Sequence, residues 1–378
     1  MASIAIDYTP AYEQGGGIGR YVRELVAALS RLDNDTDYRL FVAGATRDKL
    51  LFPPAPNFIW KPSPIPPIWY ARLWHRARLP IPVEIITGKV NLYHATDFVL
   101  PPTLPRTRTL LTVHDLSFIR VPDAASPNLR AYLDAVVPRS VRRADHVLAD
   151  STATKNDLIE LYDTPPEKIT VLLSGVDARF THVDDVTARQ AVREKYHIPG
   201  RPYILAVGTV QPRKNYGRLI QALARLRAQR HDVDLVIVGG RGWLEDPIYE
   251  TIRTTDMRDH VHFTGFADDA DLPALYSEAV CVAVPSLYEG FGIPVLEGMA
   301  CGTPVVTANV SSLPEVAGDA ALTISPTDLD ALTDALERLL TDSALRTQLI
   351  RRGLERVKQF TWEASALQLL RVYAFLTN

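Results

Sequence analysis

Short apolar runs alternate with amphipathic stretches along most of this chain. The apolar runs are rich in Val, Ile and Leu, and the stretches between them carry apolar residues at the spacing of one helix face. Alternation of this kind indicates an α/β fold, with parallel sheets that are covered by helices on both faces. The predicted strands are residues 3–8, 38–43, 90–94, 109–113, 146–149, 169–173, 203–207, 234–238, 260–263, 279–284, 304–307 and 321–324, and the clearest helices are 19–32, 129–142, 216–228 and 329–340.

The alternation is interrupted by a polar stretch at residues 178–200. This interruption divides the chain into two similar halves, so we predict two doubly wound, Rossmann-like domains, residues 1–182 and 183–361. Ligands of such sheets bind outside the carboxyl ends of the strands. We therefore expect a site in a cleft between the two halves. The proline-rich residues 52–56 and 62–67 are predicted to be loops.

Composition and charge narrow the class of protein. The chain has 378 residues, of which 47% are hydrophobic and 22% charged, as is ordinary for a soluble globular protein. Its net charge of −3 gives no reason to expect nucleic-acid binding. Cys281 and Cys301 lie in apolar segments, which favours buried thiols over a disulfide or a metal pair. No apolar run reaches the ~18 residues of a membrane span, and the first residues run into a strand, so we expect a cytoplasmic protein without a signal peptide.

The segment 286–306 carries two carboxylates, Glu289 and Glu297, around a glycine-rich turn. A predicted strand precedes Glu289, and Pro294 is well placed to begin a helix, so Glu297 falls about one turn into that helix. A helix N-terminus offers backbone N–H groups and the positive end of a dipole, which suits an anion. The layout therefore predicts a nucleotide sugar, with phosphates on the N–H groups and hydroxyls on the carboxylates.

Arg213 and Lys214 supply the cations that such a ligand needs. They follow the predicted strand 203–207 and a loop that contains Gly208, and they precede a predicted helix. A departing nucleoside diphosphate carries several negative charges, which cationic side chains would stabilise. No cluster of His and Cys in the sequence has the spacing of metal ligands. We therefore predict activity without a metal or other cofactor.

Two further strand ends carry titratable residues. His114 and Asp115 follow the predicted strand 109–113, and His94 and Asp97 lie at the end of the preceding strand. We predict that His114 is catalytic. His94, Asp97 and Asp115 are predicted to lie on the acceptor side.

Glycines also follow several strands. Gly16 and Gly17, after the first strand, allow a ligand to approach the backbone closely. A dinucleotide fingerprint would need a further glycine where the chain has Arg20, so this loop does not indicate NAD. Gly239 follows the strand 234–238, where a glycine serves either a nucleotide or a tight turn.

These motifs together resemble the retaining GT-B glycosyltransferases of family 4. The resemblance is carried by Glu289-x7-Glu297, by G-G-G-I-G-R at residues 15–20, V-H-D at 113–115, S-G-V-D at 174–177 and P-R-K-N at 212–215. Each match is short, but their order and spacing identify the family. The resemblance implies the GT-B fold, in which two Rossmann-like domains face across a cleft, and it implies that residues 362–378 form a helix packed back on the first domain.

The resemblance also implies roles for individual residues. Glu289 would contact the donor sugar, Glu297 the ribose, and His114 a sugar hydroxyl at the reacting face. Relatives often carry an arginine where this chain has Thr209, so we expect Arg213 to supply the second cation. The predicted catalytic residues are Glu289, His114, Lys214 and Arg213, and the predicted donor site is Gly16, Gly17, Gly208, Thr209, Arg213, Lys214, Gly239, Phe266, Glu289, Gly290, Phe291, Gly292, Ile293 and Glu297.

The implied reaction is transfer of a hexose from a nucleotide sugar to a hydroxyl of a glycan or lipid-linked acceptor, with retention of configuration. GDP-mannose is the preferred donor because residues 239–243 and 311–315 resemble segments of bacterial mannosyltransferases. UDP-glucose and other donors stay open. Two other classes also stay open, namely a nucleotide-sugar epimerase of the same architecture and a non-catalytic subunit that binds a sugar nucleotide.

Residues 68–78 combine apolar and basic positions at helical spacing. Trp69 and Leu73 are four residues apart, as are Tyr70 and Trp74, and three arginines lie in the same segment. Two interpretations stay open. The segment is either a helix packed on its own domain or a peripheral contact with the inner face of a membrane, close to a lipid-linked acceptor.

Overall fold

A computed structural model describes residues 2–378 of the chain. The strands are β1 (Ser3–Asp7), β2 (Asp37–Ala43), β3 (Phe58–Ser63), β4 (Leu92–Ala95), β5 (Arg108–Val113), β6 (His146–Ala149), β7 (Ile169–Val171), β8 (Tyr203–Val207), β9 (Asp234–Val238), β10 (Val261–Gly265), β11 (Cys281–Val284), β12 (Val305–Ala308) and β13 (Ala321–Ile324). The α-helices are α1 (Thr9–Glu13), α2 (Gly17–Leu32), α3 (Pro67–Tyr70), α4 (Glu84–Thr87), α5 (Ser117–Arg120), α6 (Pro127–Arg143), α7 (Thr152–Tyr162), α8 (Val186–Lys195), α9 (Tyr216–Ala228), α10 (Asp246–Thr254), α11 (Leu272–Glu278), α12 (Ile293–Ala300), α13 (Leu313–Ala317), α14 (Leu329–Thr341), α15 (Ser343–Arg356) and α16 (Trp362–Thr377). A π-helix at Ala71–Arg76 continues α3, and short 3₁₀ turns include Pro212–Lys214.

The chain divides into two compact units. Unit 1 contains the residues up to Leu116, Ala131–Gly175 and Trp362–Asn378, and unit 2 contains Ser117–Arg130 and Val176–Thr361. In residues 2–378, unit 1 has a seven-stranded sheet of order β3-β2-β1-β4-β5-β6-β7, and unit 2 has a six-stranded sheet of order β10-β9-β8-β11-β12-β13. Neighbouring strands are parallel in both sheets, and each order reverses beside the unit's first strand, so the predicted doubly wound α/β fold is confirmed.

The core of unit 1 lies between its sheet and the pair α2 and α16. Apolar residues of α2 recur on one helix face, so that Leu25 and Leu29 are buried against Ile6 of β1. Leu369 and Tyr373 of α16 belong to the same core. Unit 2 is built in the same way, with α9 packed on β9 and α14 packed on β12 and β13, and α9 and α14 pack against each other. No helix in residues 2–378 is both long enough and apolar enough to cross a membrane.

The strand β3 corrects the prediction of a loop at residues 62–67. It pairs in parallel with β2 and includes Pro62. A proline cannot donate a hydrogen bond to a neighbouring strand, so the sequence pattern argued against a strand here. β3 is the edge strand of its sheet, and an edge strand tolerates a proline because one side of it has no partner.

The two apolar pairs predicted on one helical face at residues 68–78 separate in the structure. Tyr70 and Trp74 are buried, with their rings stacked at a centroid distance of 4.3 Å, and Phe41 of β2 packs against both. Trp69 is instead exposed, and the guanidinium of Arg72 lies 4.8 Å from the centroid of its ring. The α-helix changes to a π-helix within this segment, so four-residue spacing no longer defines a single face.

Candidate active site

The loop between β11 and α12 carries Glu289 at the carboxyl edge of the unit 2 sheet. Ile293 begins α12, and Pro294 lies in its first turn, as the sequence predicts. The Ser312 hydroxyl fixes the loop, because its Oγ lies 2.9 Å from the carbonyl oxygen of Glu289 and 2.7 Å from that of Phe291. The first N–H groups of a helix have no acceptor within the helix, so the start of α12 is suited to bind an anion.

Glu289 is buried, and both of its carboxylate oxygens accept hydrogen bonds. Oε1 accepts from Lys214 Nζ and Ser286 Oγ, each at 2.7 Å, and Oε2 accepts from Arg213 Nη1 at 2.8 Å. Burial alone would raise the pKa of Glu289, but the charges of Arg213 and Lys214 and these hydrogen bonds lower it to about 2. Glu289 is therefore ionised at neutral pH, and the three charged side chains together carry a single net positive charge.

Hydrogen bonds to backbone carbonyl groups hold the Arg213–Lys214 turn against the Glu289 loop. Asn215 has a φ of 60°, in the left-handed region, and its Nδ2 donates to the carbonyl oxygens of Pro285 at 2.9 Å and Pro326 at 2.8 Å. The N–H of Leu287 donates to the carbonyl oxygen of Arg213 at 2.8 Å. The two cations are thus positioned by the fold itself. Asn215 belongs to the P-R-K-N motif but was given no role from the sequence, although asparagine tolerates this backbone conformation better than most residues.

Gly208 and Gly239 have no room for side chains. Gly208 has a φ of 141°, and a Cβ there would lie 2.8 Å from Cε of Lys214. Gly239 has a φ of 155°, and a Cβ there would lie 2.2 Å from the carbonyl oxygen of Gly208. The two strand-end loops therefore pack backbone to backbone, with the half-buried Thr209 between them, and this contact by itself accounts for a glycine at position 239.

Two other predicted donor contacts differ in their exposure. Glu297 lies inside α12 with 2% of its surface exposed, and its Oε2 accepts from the Tyr276 hydroxyl at 2.6 Å. Phe266 follows β10 and is 68% exposed, with its ring beside Gly240, where an added Cβ would come within 2.4 Å of it. The structure thus presents an aromatic ring to solvent here, whereas the Glu297 carboxylate is almost enclosed.

His114 lies at the carboxyl edge of the unit 1 sheet, directly after β5, and is 5% exposed. Its Nδ1 lies 2.8 Å from Oδ2 of Asp150, and its Nε2 lies 2.9 Å from the carbonyl oxygen of Thr96. Burial alone would lower the pKa of His114, but the Asp150 carboxylate, its hydrogen bond and the charge of Asp97 raise it to about 9. The ring of Tyr21 packs edge-on against the imidazole at 5.1 Å.

Asp150 was not predicted from the sequence as a site residue. This residue follows β6, and β5 and β6 are paired so that Val113 lies opposite Ala149. His114 and Asp150 are the next residues along each strand, and parallel pairing brings them together. The position of Asp150 directly after an apolar strand could therefore have indicated a partner for His114, but only once the order of the strands was known.

His94, which we predicted on the acceptor side, is a core residue. The strand β4 runs on to Ala95, so His94 lies within the sheet and has no exposed surface. Its Nδ1 lies 2.8 Å from the Tyr373 hydroxyl, and its Nε2 lies 2.9 Å from Oγ1 of Thr112. Burial lowers its pKa to about 3, so the ring is neutral. Both ring nitrogens are satisfied inside unit 1, and the acceptor-side assignment does not fit this residue.

The remaining predicted residues of unit 1 lie at its surface. Asp97 and Asp115 are half-buried after β4 and β5, and the pKa of Asp97 is raised by burial and lowered by the charge of His114. Gly16 and Gly17 are exposed at the start of α2, and a Cβ on either would meet open space. The structure thus brings Asp97, Asp115 and His114 together. In residues 2–378, no three His, Cys, Asp or Glu side chains group as a metal site does.

Solved structures and sequence families identify the class of protein that has this architecture. Sucrose-phosphate synthase from Thermosynechococcus elongatus matches with a TM-score of 0.76 at 24% identity, covering 100% of this chain and 99% of that one. Anabaena Alr3699/HepE in complex with UDP-glucose also matches with a TM-score of 0.76, at 19% identity, covering 99% of this chain and 100% of that one. The fold is that of the GT-B glycosyltransferases, as the sequence predicts.

The family follows from the sequence matches. Residues 15–180 match Glycosyltransferase Family 4, and residues 188–356 match Glycosyl transferases group 1. The O-antigen chain mannosyltransferase B of Escherichia coli is 34% identical over 294 residues, which cover 76% of this chain and 75% of that protein. The D-inositol 3-phosphate glycosyltransferase of Salinispora tropica is 37% identical over 247 residues, which cover 62% of this chain and 51% of that protein. The chain belongs to glycosyltransferase family 4, and it is a glycosyltransferase.

Proposed function

We propose that this glycosyltransferase is a retaining enzyme that transfers mannose from GDP-mannose to a hydroxyl of a glycan or lipid-linked acceptor. The cluster of Glu289, Arg213 and Lys214 beside the start of α12 carries the proposal. Its net positive charge suits a diphosphate, and its carboxylate suits sugar hydroxyls. Two relatives named as mannosyltransferases, at 34% and 32% identity, support mannose. The UDP-glucose complex of a structural neighbour makes UDP-glucose the main alternative donor.

Donor binding would exchange the partners of Arg213 and Lys214. In the structure both cations donate to Glu289, whose two oxygens are fully used. A diphosphate carries more charge than one carboxylate and would draw the two cations toward its oxygens. The oxygens of Glu289 would then become acceptors for sugar hydroxyls. One cluster of charges would in this way bind both the phosphate and the sugar.

The proposed reaction takes place on one face of the sugar. The acceptor oxygen bonds to the anomeric carbon while the bond from that carbon to the phosphate oxygen breaks, and its electron pair stays on the diphosphate. The proton of the acceptor hydroxyl passes to the same phosphate oxygen, so configuration is retained. Arg213, Lys214 and the N–H groups near Ile293 would stabilise the charge that grows on the diphosphate. Glu289 orients the sugar.

The donor can be tested by thermal stabilisation. A ligand at a hundred times its dissociation constant stabilises the folded state by about 2.7 kcal/mol, so the correct nucleotide should raise Tm clearly. We expect GDP-mannose and GDP to raise Tm more than UDP-glucose and UDP at equal concentration. A larger shift in Tm with UDP-glucose and UDP would contradict GDP-mannose as the donor.

Incubation of the donor without acceptor distinguishes the three classes of protein. An epimerase would release an epimerised donor, a transferase would hydrolyse the donor slowly, and a non-catalytic subunit would leave it unchanged.

We expect turnover to persist without divalent cations. Arg213 and Lys214 already place two positive charges where the diphosphate would leave, which is the role that Mg²⁺ plays in other transferases. The measurement is the rate of transfer from GDP-mannose after metal removal and in excess chelator, compared with added Mg²⁺ or Mn²⁺. A strict requirement for either ion would refute the charge argument.

Residues 47–89 of unit 1 support a peripheral membrane contact. Nine of the eighteen large hydrophobic side chains that are exposed in residues 2–378 lie between Leu51 and Ile85. Residues 47–89 as a whole have seven basic and two acidic residues, a net charge of +5 in a chain of net −3. α3, the π-helix and α4 all pack on the face of β2 that carries Arg39 and Phe41, so their exposed residues share one outer layer. Apolar side chains among basic ones suit a membrane with anionic lipids.

Reversal of charge at Arg72, Arg76 and Arg78 should weaken binding to anionic vesicles at least about tenfold, because each basic residue near such a surface contributes about 1 kcal/mol. The measurement is sedimentation with phosphatidylglycerol vesicles. A triple variant with the same charge change in unit 2, at Arg225, Arg253 and Arg351, is the matched control and should bind like the wild type. Equal binding by the wild type and the Arg72/Arg76/Arg78→Glu variant would remove the proposal.

A further inference from the structure

Both hydrogen-bond partners of His114 are oxygen atoms that accept. The Thr96 carbonyl oxygen lies 2.9 Å from Nε2, and a carbonyl has no proton to give, so Nε2 must carry a hydrogen. Nδ1 lies 2.8 Å from Oδ2 of Asp150. Nδ1 therefore either donates a hydrogen bond to an ionised Asp150 or accepts a hydrogen bond from a neutral one.

The surrounding charges decide between these two arrangements. Imidazole is a stronger base than a carboxyl group, with ordinary pKa values near 6.5 and 3.9. The charge of Asp97, in the loop after β4, favours a cation at His114. Burial raises the pKa of Asp150 and of Asp97, and the charge of His114 opposes that rise at both carboxyl groups. The neighbouring His94 of β4 is neutral, and Tyr21 of α2 contributes an uncharged phenol ring. The proton therefore stays on Nδ1, and His114 is an imidazolium.

The imidazolium holds a short strained loop in place. Besides the bond from His114 to the Thr96 carbonyl, Oγ1 of Thr96 donates to the carbonyl oxygen of Asp7 at 2.6 Å. The N–H of Phe98 donates to the carbonyl oxygen of Thr112 at 3.0 Å, and Phe98 has a φ of 52°. A non-glycine residue persists at positive φ only where its surroundings impose it. Asp97 lies between two residues that are fixed in this way.

We infer that Asp150 is a positioning residue for sugar transfer. Asp150 keeps His114 doubly protonated, and this cation fixes the backbone of Thr96 and Asp97. The inference rests on the proposed function and on the sequence prediction that Asp97 lies on the acceptor side. With both ring nitrogens protonated, His114 has no lone pair with which to take a proton from the acceptor. It acts through its charge and through the loop that it holds.

The experiment is ¹⁵N NMR of the full chain with labelled histidine, which needs no substrate. A His114→Gln variant identifies the signals of this ring among those of the nine histidines. We expect both His114 nitrogens of the wild type to carry protons at pH 7.5 and to titrate only near pH 9. In Asp150→Asn the apparent pKa of His114 should fall by about two units, because the ionic partner is lost. Glu337→Gln is the matched control, since Glu337 lies 3.0 Å from Nε2 of His231 and should affect that histidine alone.

Two further measurements test the loop and the reaction. Hydrogen exchange of the Phe98 amide should be at least about tenfold faster in Asp150→Asn than in the wild type at pH 8, because the neutral imidazole of the variant donates a weaker hydrogen bond to Thr96 than an imidazolium does. The kcat for transfer from GDP-mannose should fall between pH 6 and pH 8 in the variant and stay level in the wild type.

A proton on Nε2 alone in the wild type would overturn the inference, and this result stands even if Asp150→Asn does not fold. Unchanged Phe98 exchange would overturn the positioning role. If GDP-mannose is not turned over at all, the proposed donor fails, while the NMR result still decides the state of His114.

Discussion

Replacement of Glu289 with glutamine should lower kcat for sugar transfer by about 10³-fold and at the same time tighten the binding of GDP. Glutamine keeps the shape of the side chain but loses the charge that orders the sugar in the transition state, and loss of one such group costs 10² to 10³ in rate. In the wild type the proposed diphosphate would compete with the Glu289 carboxylate for Arg213 and Lys214, so removal of that charge should favour GDP. Steady-state kinetics with GDP-mannose and calorimetry with GDP measure the two effects.

The same substitution should also change how stability depends on pH. The pKa of Glu289 is lowered to about 2 in the folded protein, so its stabilising contribution is complete above its ordinary value near 4.5 and is lost as pH falls toward 2. The glutamine variant should lack this part of the acid dependence in urea unfolding. Glu278→Gln is a matched control, because Glu278 also pairs with two arginines, Arg189 and Arg193, outside the site. Near-normal turnover by a folded Glu289→Gln would refute the assignment.

Lys214→Ala and Arg213→Ala should each raise the barrier for transfer by about 3 kcal/mol in kcat/KM, which is the usual cost of one preorganised charge stabiliser. Our reason for treating the two alike is geometric. Both side chains reach the Glu289 carboxylate, at 2.7 and 2.8 Å, from a single backbone turn. A surface arginine would cost little, and Arg225→Ala on α9, whose side chain pairs with Asp330 at the surface, serves as the matched control.

A rescue experiment tests whether Arg213 replaces the arginine that relatives carry. Thr209 lies half-buried in the loop beside Gly208, which packs against the Lys214 side chain. Thr209→Arg should therefore restore part of the kcat/KM that Arg213→Ala loses. If Arg213→Ala has no kinetic effect, Lys214 works with the N–H groups of α12 alone, and the compensation hypothesis is wrong.

The sequence was sufficient for the regular parts of the fold. The apolar runs predicted β8 and β9 to the residue, because a buried parallel strand must be apolar on both faces. The sequence was insufficient at two places. At β3, Pro62 led to the prediction of a loop where the structure has an edge strand, and at residues 68–78 a π-helix changes which residues share a helix face. In both cases a contact with β2 outweighed the local sequence pattern. At β3 this contact is strand pairing along the edge of β2, and at residues 68–78 it is the packing of Tyr70 on Phe41.

For the site, the sequence by itself determined which chemical groups end the strands, including Glu289, Lys214 and His114, because hydrophobic runs and turn residues are local signals. Only the tertiary structure decided their partners. Lys214 meets Glu289 across 75 positions of sequence and His114 meets Asp150 across 36, and such contacts depend on which strands are neighbours. The lengths of the strands, which only the structure shows, separate His94 from His114. Both looked alike as histidines at strand ends, but β4 extends one residue further, and this one residue encloses His94 in the core.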